Sequence, residues 1–166
     1  GHRFTGFLYA GLMVTRAGAK VLEFNVRLGD PETQPILMRL KSDLVDVLLA
    51  TLDGRLPEVE LDWDPRVTIG VVMAAGGYPE TYRKGDAISG LDTDWPDTVK
   101  VFHAGTAIAD GQAVTAGGRV LCVTAIGDTL AQAHGEVYRW LPRIGFANAY
   151  WREDIGHRAL AREAGS

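Results

Sequence analysis

Residues Val21–Gln34 read VLEFNVRLGDPETQ. Apolar and polar residues alternate as far as Leu28, which predicts a β-strand, because successive side chains of a strand point to opposite faces. One face of this strand is apolar, with Leu22, Phe24, Val26 and Leu28, and is expected to face a core. The other face carries Glu23, Asn25 and Arg27, which are a carboxylate, an amide and a guanidinium spaced two residues apart.

The polar face of this strand has two interpretations. Glu23 and Asn25 lie one strand repeat apart, about 7 Å along the backbone, so their oxygens can converge on one small cation. Mg²⁺ takes oxygen ligands and commonly completes its shell with water and substrate phosphates, while Arg27 offers a planar fork to a phosphate or a carboxylate. The alternation alone favours the simpler interpretation, in which these side chains form the solvated face of an antiparallel sheet.

The segment Gly29-Asp30-Pro31-Glu32 breaks the strand. Pro31 suits the start of a helix, and Glu32 suits its first turn, where a carboxylate meets the positive end of the helix dipole. Alternatively, Asp30 is the N-cap of that helix. Leucines at helical spacing predict one continuous helix over Thr33–Leu52, which Gly54 ends.

The flanking sequence predicts the rest of the fold. Phe7–Val14 is apolar and predicts the other strand of a hairpin, with an edge that is prone to self-association if it is left uncovered. Leu56–Pro65 is acidic, contains two prolines and lacks periodicity, so it predicts a linker. Further strands are predicted at Val67–Ala75, Val99–Ile108 and Arg119–Ile126, followed by a helix that Asp128 or Thr129 caps and Pro142 ends.

These elements predict an α+β fold with two parts. Residues 1–56 form antiparallel strands and a helix, residues 57–66 form a linker, and residues 67–166 form a β-rich domain with one packed helix. The chain starts within an apolar strand, so we expect it to be a piece of a longer protein.

Composition narrows the class of protein. The 166 residues carry a net charge of −4 and contain no run of Lys or Arg, which argues against nucleic acid as a partner. The single cysteine, Cys122, lies in an apolar run and predicts a buried thiol in a cytoplasmic protein. No apolar stretch approaches the length of a membrane span, so no membrane association is expected.

Several blocks of the sequence resemble one enzyme family. VLEFNVRLGDPETQPILMRLKSDL, with GFLYAGLM before it and VVMAAGGYP, VFHAGT, GGRVLCVTAIGDTLAQA and REDIGHRAL after it, is similar to the C-terminal portion of the glycinamide ribonucleotide synthetase (phosphoribosylamine–glycine ligase) family of purine biosynthesis. The resemblance covers nearly the whole chain. It implies the end of an ATP-grasp core followed by a β-rich domain of the single-hybrid-motif type.

The resemblance also implies a reaction and its residues. Enzymes of this family join glycine to 5-phosphoribosylamine through a glycyl phosphate made from ATP. By that resemblance Glu23 and Asn25 are the ligands of Mg²⁺ (or Mn²⁺), and Arg27 steers the γ-phosphate or the substrate carboxylate. Asp30 is the second candidate catalytic residue. The resemblance further places three residues next to substrate: Gly29, Pro31 and His103.

The extent of the chain limits this expectation. The family's N-terminal substrate domain and its earlier ATP-grasp segments, which carry the adenine pocket and a phosphate-covering loop with its Lys, are absent from these 166 residues. We therefore expect the chain alone to lack activity. The alternative is a non-catalytic packing or interaction module, and on the strand pattern alone His103 is an ordinary sheet histidine.

Overall fold

The computed structural model describes residues 1–165 and begins with an antiparallel hairpin. Its strands are β1 (Tyr9–Thr15) and β2 (Gly18–Asn25), which confirms the predicted strand pair. β2 ends three residues before the predicted end at Leu28. The register also shifts within the hairpin, leaving Leu22 as an extra residue on β2, which is a β-bulge.

The apolar face of β2 was expected to be a core face, and that expectation is wrong for the described chain. Leu22, Phe24 and Val26 are between 60% and 71% exposed. The hairpin is a separate two-stranded sheet, and two strands alone cannot bury both of their faces.

The predicted single helix is in fact two helices, α1 (Thr33–Arg39) and α2 (Leu44–Leu52). Leu40 adopts an extended conformation and forms a β-bridge with Trp63. Asp43 then caps α2, because its carboxylate accepts hydrogen bonds from two main-chain N–H groups of the first turn. The leucine spacing predicted helix on both sides of Leu40, but it continued in phase across an N-cap that restarts the helix. The apolar side of α2 is also not buried in the described chain, because Val45, Leu49 and Leu52 are between 52% and 75% exposed.

The second part of the chain is built on a three-stranded antiparallel sheet. Its order is β3 (Val67–Ala74), β7 (Arg119–Gly127) and β4 (Val99–His103), so β7 is central. Seven consecutive residues of β7 are buried. α3 (Leu130–Trp140) packs against β7 and β3 and begins at the predicted cap Thr129, whose hydroxyl accepts from a main-chain N–H. The hydrophobic core therefore lies between this sheet and α3.

Two shorter features complete the described fold. β5 (Thr106–Ala109) and β6 (Gln112–Thr115) form a hairpin, so the predicted strand Val99–Ile108 is divided at residues 104–105. A short helix, α4 (His157–Glu163), was not predicted, since seven residues give too little periodicity. No helix among residues 1–165 is both long enough and apolar enough to cross a lipid bilayer.

α1 lies against the sheet that follows the predicted linker. The Thr68 hydroxyl of β3 donates to the Pro35 carbonyl over 3.0 Å. Arg39 and Asp64 exchange two hydrogen bonds, from Asp64 N to the Arg39 carbonyl (2.7 Å) and from Arg39 Nε to the Asp64 carbonyl (3.0 Å). Residues 33–39 are thus attached to the C-terminal sheet, while the domain boundary at residues 57–66 stays a prediction.

A compact ion pair lies at this junction. Arg66 donates from Nη2 to Asp64 Oδ2 over 2.7 Å, and its main-chain N–H donates to Asp64 Oδ1 over 2.9 Å. Hydrogen bonds from Arg66 hold the pKa of the Asp64 carboxyl well below its usual range. A carboxyl whose pKa falls on folding stabilises the protein above its ordinary pKa and loses that contribution as pH falls through the folded value.

We therefore expect the stability of the Asp64→Asn variant to depend less on pH in the acid range than that of the unmodified chain. Between about pH 6 and about pH 2.5 the denaturant midpoint of the unmodified chain should fall more than that of the variant. Asp92→Asn is the matched control, because Asp92 is exposed and its carboxylate has no hydrogen-bond or ion-pair partner within residues 1–165. Its denaturant midpoint should fall as much as that of the unmodified chain. A parallel fall in all three proteins would show that the Asp64–Arg66 pair does not contribute to acid sensitivity.

Candidate functional site

β2 places Glu23 and Asn25 on one face of the hairpin. Glu23 lies opposite Gly11 and Asn25 lies opposite Tyr9, so these four residues share that face. Glu23 is exposed and Asn25 is half-buried. Within residues 1–165 neither side chain has a hydrogen-bond or ion-pair partner, so their oxygens are available to a ligand.

Gly11 leaves room for the Glu23 side chain. A Cβ added at Gly11 would stand 3.0 Å from Glu23 Cγ, which is closer than nearly all real contacts of this kind. The Glu23 side chain therefore lies across the β1 backbone at Gly11, and any larger residue there would displace it.

The β-bulge at Leu22 determines which residues share the Glu23 face. The register pairs Val21 with Leu12 and Glu23 with Gly11. Gly11 and Leu12 are successive residues and point to opposite faces, so Val21 and Glu23 do too. The uniform alternation predicted from Val21 onward is therefore wrong at this point, and bulges of this kind commonly re-aim side chains beside functional sites.

Arg27 lies beyond the end of β2, in a bend. Its Nη1 donates to the Leu28 carbonyl over 2.9 Å, and the side chain is exposed. Arg27 is therefore close in sequence to the Glu23–Asn25 face, but it lies outside β2, so pairing within the hairpin does not fix its position.

The segment of residues 29–32, which we call the reaction turn after the role predicted for it, packs against the hairpin through Gly29. Gly29 is buried, and a Cβ there would collide with the Glu32 carboxylate and come within 3.0 Å of the Tyr9 ring. Because Tyr9 is paired with Asn25, this contact brings the reaction turn to the Glu23–Asn25 face. The Gly29 carbonyl accepts from both the N–H and the hydroxyl of Thr33, at the start of α1.

Asp30 is not the cap of α1. The N-cap is Glu32, and it makes no side-chain capping bond, so the alternative that assigned the cap to Asp30 is wrong. Asp30 is instead contacted by Arg119 from the start of β7. Arg119 Nη1 donates to the Asp30 carbonyl over 2.8 Å, and Nη2 lies 3.6 Å from Asp30 Oδ2.

A cavity of about 250 Å³ lies between the reaction turn and the C-terminal sheet. Pro31 forms one wall, and the other lining residues are mostly apolar or aromatic, together with the cationic Arg119 and Arg152. Arg119 is the cationic group that stands both in this cavity and against the reaction turn.

His103 lies at the end of β4, where it is exposed and its Nδ1 stands 2.9 Å from the Thr106 hydroxyl. It does not line the cavity beside Pro31. The loop after it does approach the site, because Gly105 N donates to the Arg119 carbonyl over 2.8 Å. The substrate-facing role of His103 stays a prediction.

Among residues 1–165 no three His, Cys, Asp or Glu side chains group closely enough to hold a metal ion by themselves. Glu23 and Asn25 supply two unpartnered oxygen donors on one face. Such a donor set fits a hard cation that takes its remaining ligands from water and a bound phosphate.

Comparison with known proteins identifies the family. Residues 68–158 match the family described as phosphoribosylglycinamide synthetase, C domain, and residues 1–33 match the ATP-grasp (A) domain of the same synthetase. The chain belongs to the phosphoribosylglycinamide synthetase family. The reaction turn and β2 therefore lie at the end of the matched ATP-grasp segment, and Arg119 lies in the matched C domain.

Curated relatives from this family are similar over almost the whole chain. A phosphoribosylamine–glycine ligase from Allochromatium vinosum is 58% identical over 161 residues, covering 96% of this chain and 38% of the relative. One from Pseudomonas aeruginosa is 56% identical over 166 residues, covering 99% of this chain and 39% of the relative. The chain therefore spans less than half the length of the relatives that it matches.

A solved structure gives the same result for the fold. The crystal structure of phosphoribosylamine–glycine ligase from Thermotoga maritima matches with a TM-score of 0.75 at 37% identity. The match covers 89% of this chain and 36% of that one. The α+β architecture predicted for a member of this synthetase family is thus confirmed.

Sequence reasoning missed Tyr9 and Arg119 as parts of the site. Tyr9 resembles any other aromatic residue of a buried strand. Arg119 is a single charge at the start of a predicted strand, where an arginine is unremarkable. Its partner Asp30 is 89 residues away in the chain, so no local pattern connects the two residues.

Proposed function

We propose that this chain supplies part of the active site of an ATP-dependent ligase that joins glycine to 5-phosphoribosylamine. The observation that carries the proposal is the pair of unpartnered oxygen donors, Glu23 and Asn25, on the strand face against which the reaction turn packs. That face lies in the segment that matches the synthetase's ATP-grasp domain.

The proposed reaction has two balanced steps. A carboxylate oxygen of glycine attacks the γ-phosphorus of ATP, forming glycyl phosphate and releasing ADP. The amine of 5-phosphoribosylamine then attacks the acyl carbon, phosphate leaves with the former carboxylate oxygen, and the amine loses one proton. In both steps positioning and charge neutralisation dominate the rate.

The residues of this chain have separate roles in that reaction. Glu23 and Asn25 would hold Mg²⁺ or Mn²⁺, which when bound to ATP neutralises charge on its phosphates. Arg27 would exchange its bond to the Leu28 carbonyl for a phosphate or carboxylate oxygen. The half-exposed Asp30 carboxylate would face the substrate amine from the reaction turn.

The rest of the synthetase would cover the exposed apolar surface of this chain. Besides the β2 side chains, Leu12 of β1 is 52% exposed and Leu52 of α2 is 75% exposed. Apolar surface of this extent is typical of an interface with another chain or domain. We propose that the N-terminal substrate domain and the earlier ATP-grasp segments pack there, that the chain alone is inactive, and that the complete enzyme works in the cytoplasm.

The test is ADP release from MgATP with glycine and 5-phosphoribosylamine. The chain is assayed alone, then mixed with the portion of the Pseudomonas aeruginosa relative that it does not span, and that portion is assayed alone as the control. We expect release only from the mixture. ADP release by this chain alone would contradict the proposed division of the site. If the mixture forms a stable complex but releases no ADP, the result would favour the non-catalytic module.

A further inference from the structure

We infer that Arg119 is a positioning residue for the reaction turn. The inference rests on the proposed function and deepens it: by binding the main chain at Asp30, the C-terminal domain sets where residues 29–32 stand relative to Glu23 and Asn25. The C-terminal domain thereby contributes to catalysis without its own contact to the reacting atoms.

Arg119 is itself rigidly held. It is the first residue of the central strand β7 and pairs with Ala74 of β3. Its carbonyl accepts from Gly105 N over 2.8 Å. Because this backbone is fixed by the sheet, the guanidinium can act as an anchor that relates the position of Asp30 to the C-terminal sheet.

The guanidinium contacts the main chain of Asp30 rather than occupying its carboxylate. The 2.8 Å bond goes to the carbonyl, whereas the distance to Asp30 Oδ2 is 3.6 Å, too long for a direct hydrogen bond. The Asp30 side chain stays 49% exposed. Arg119 thus fixes the position of the turn through its main chain, and the Asp30 carboxylate is a half-exposed member of a longer ion pair with one side open to substrate.

Besides the packing of Gly29 on Tyr9, this bond is the long-range hydrogen bond that holds the reaction turn within the described residues. Within residues 1–165, the other hydrogen bonds recorded for residues 29–32 go to Thr33 and Ile36, which belong to the adjoining helix α1. Loss of the Arg119 side chain should therefore loosen residues 29–33 locally, without opening the buried sheet.

Hydrogen exchange in this chain tests the attachment of the reaction turn and does not depend on ligase activity. The Thr33 amide, which donates to the Gly29 carbonyl, should exchange about ten-fold faster in Arg119→Ala, while the amides of β7 stay protected. Arg119→Lys, which keeps one donor, should give an intermediate rate. Arg83→Ala removes a more exposed arginine that pairs with Asp86 in the same domain, and it should leave Thr33 unchanged.

Unchanged Thr33 exchange in Arg119→Ala would overturn the inference. The inference would also be overturned if Arg83→Ala accelerated exchange of the Thr33 amide as much as Arg119→Ala does. A general loss of protection that includes the amides of β7 would have the same consequence, because either result would indicate a merely structural effect. Should Arg119→Ala fail to fold, Arg119→Lys against the unmodified chain decides by the same criterion.

The reconstituted assay adds a catalytic measurement. There kcat should fall about ten-fold or more in Arg119→Ala with the KM for ATP nearly unchanged, and Arg119→Lys should recover part of the loss. Normal kcat beside accelerated exchange would contradict the positioning role and leave the proposed function intact. An inactive unmodified mixture would count against the proposed function, while the exchange result would still decide the attachment.

Discussion

Replacing Glu23 with Gln should lower the turnover of the reconstituted ligase by about a hundred-fold or more. The substitution keeps the size of the side chain and removes its charge, so a cation shared with ATP would lose its only carboxylate from β2. The hairpin should stay folded, since Glu23 is exposed and unpartnered within the described residues. The measurement is ADP release at saturating ATP and glycine, with circular dichroism to verify folding.

Two companion variants sharpen this prediction. Asn25→Ala should raise the Mg²⁺ concentration needed for half-maximal rate, because a neutral amide contributes less to cation binding than a carboxylate does. Glu60→Gln alters an exposed carboxylate outside the site and should leave the rate unchanged. Normal turnover in both the Glu23 and Asn25 variants would refute the metal-ligand assignment.

Gly90→Ala should destabilise the C-terminal domain by about 3 kcal/mol or more. Gly90 has a φ of +81°, and a Cβ there would collide with the main-chain carbonyl of Arg143. That carbonyl cannot move freely, because the neighbouring Gly145 pairs with Ser89 through main-chain hydrogen bonds in both directions. The substitution therefore combines backbone strain with a steric clash.

Gly111→Ala is the matched control for this prediction. Gly111 has a similar φ of +77°, but a Cβ there would meet nothing within 4 Å. The Gly111→Ala substitution should lower the free energy of unfolding by only about 1 kcal/mol, because it adds the strain of a left-handed conformation without a steric clash. Denaturant unfolding of both variants checks the difference, and equal losses would show that the Arg143 contact is not a constraint.

Much of the fold followed from local sequence patterns. The period-two alternation located β2, the apolar run of residues 120–126 located the buried strand β7, and the cap of α3 is Thr129, one of the two predicted residues. These predictions held because each depends on residues close together in the chain.

The errors arose where tertiary contacts override a local pattern. The leucines of the predicted long helix are in phase on both sides of Leu40, yet pairing with Trp63 and the cap at Asp43 interrupt the helix. The bulge at Leu22 depends on the register with β1, which the alternation of β2 alone does not determine. Such features require knowledge of the partner strand or segment.

Only part of the candidate site could be predicted from the sequence. Glu23 and Asn25 stand out because a carboxylate and an amide share a strand face next to a charged turn. The Arg119–Asp30 contact joins residues 89 positions apart and leaves no local signature. A site assembled between two parts of a fold thus shows in sequence only the residues whose chemistry is unusual for their own element.

The most direct test of the proposed ligase reaction follows one oxygen atom. Glycine labelled with ¹⁸O in its carboxylate is given to the reconstituted mixture with unlabelled MgATP and 5-phosphoribosylamine, and the released phosphate is analysed by mass spectrometry. We expect each phosphate to carry one ¹⁸O, because it leaves with the former carboxylate oxygen of glycine. Unlabelled phosphate would mean that water attacks ATP, and it would contradict the proposal that this chain completes a ligase site.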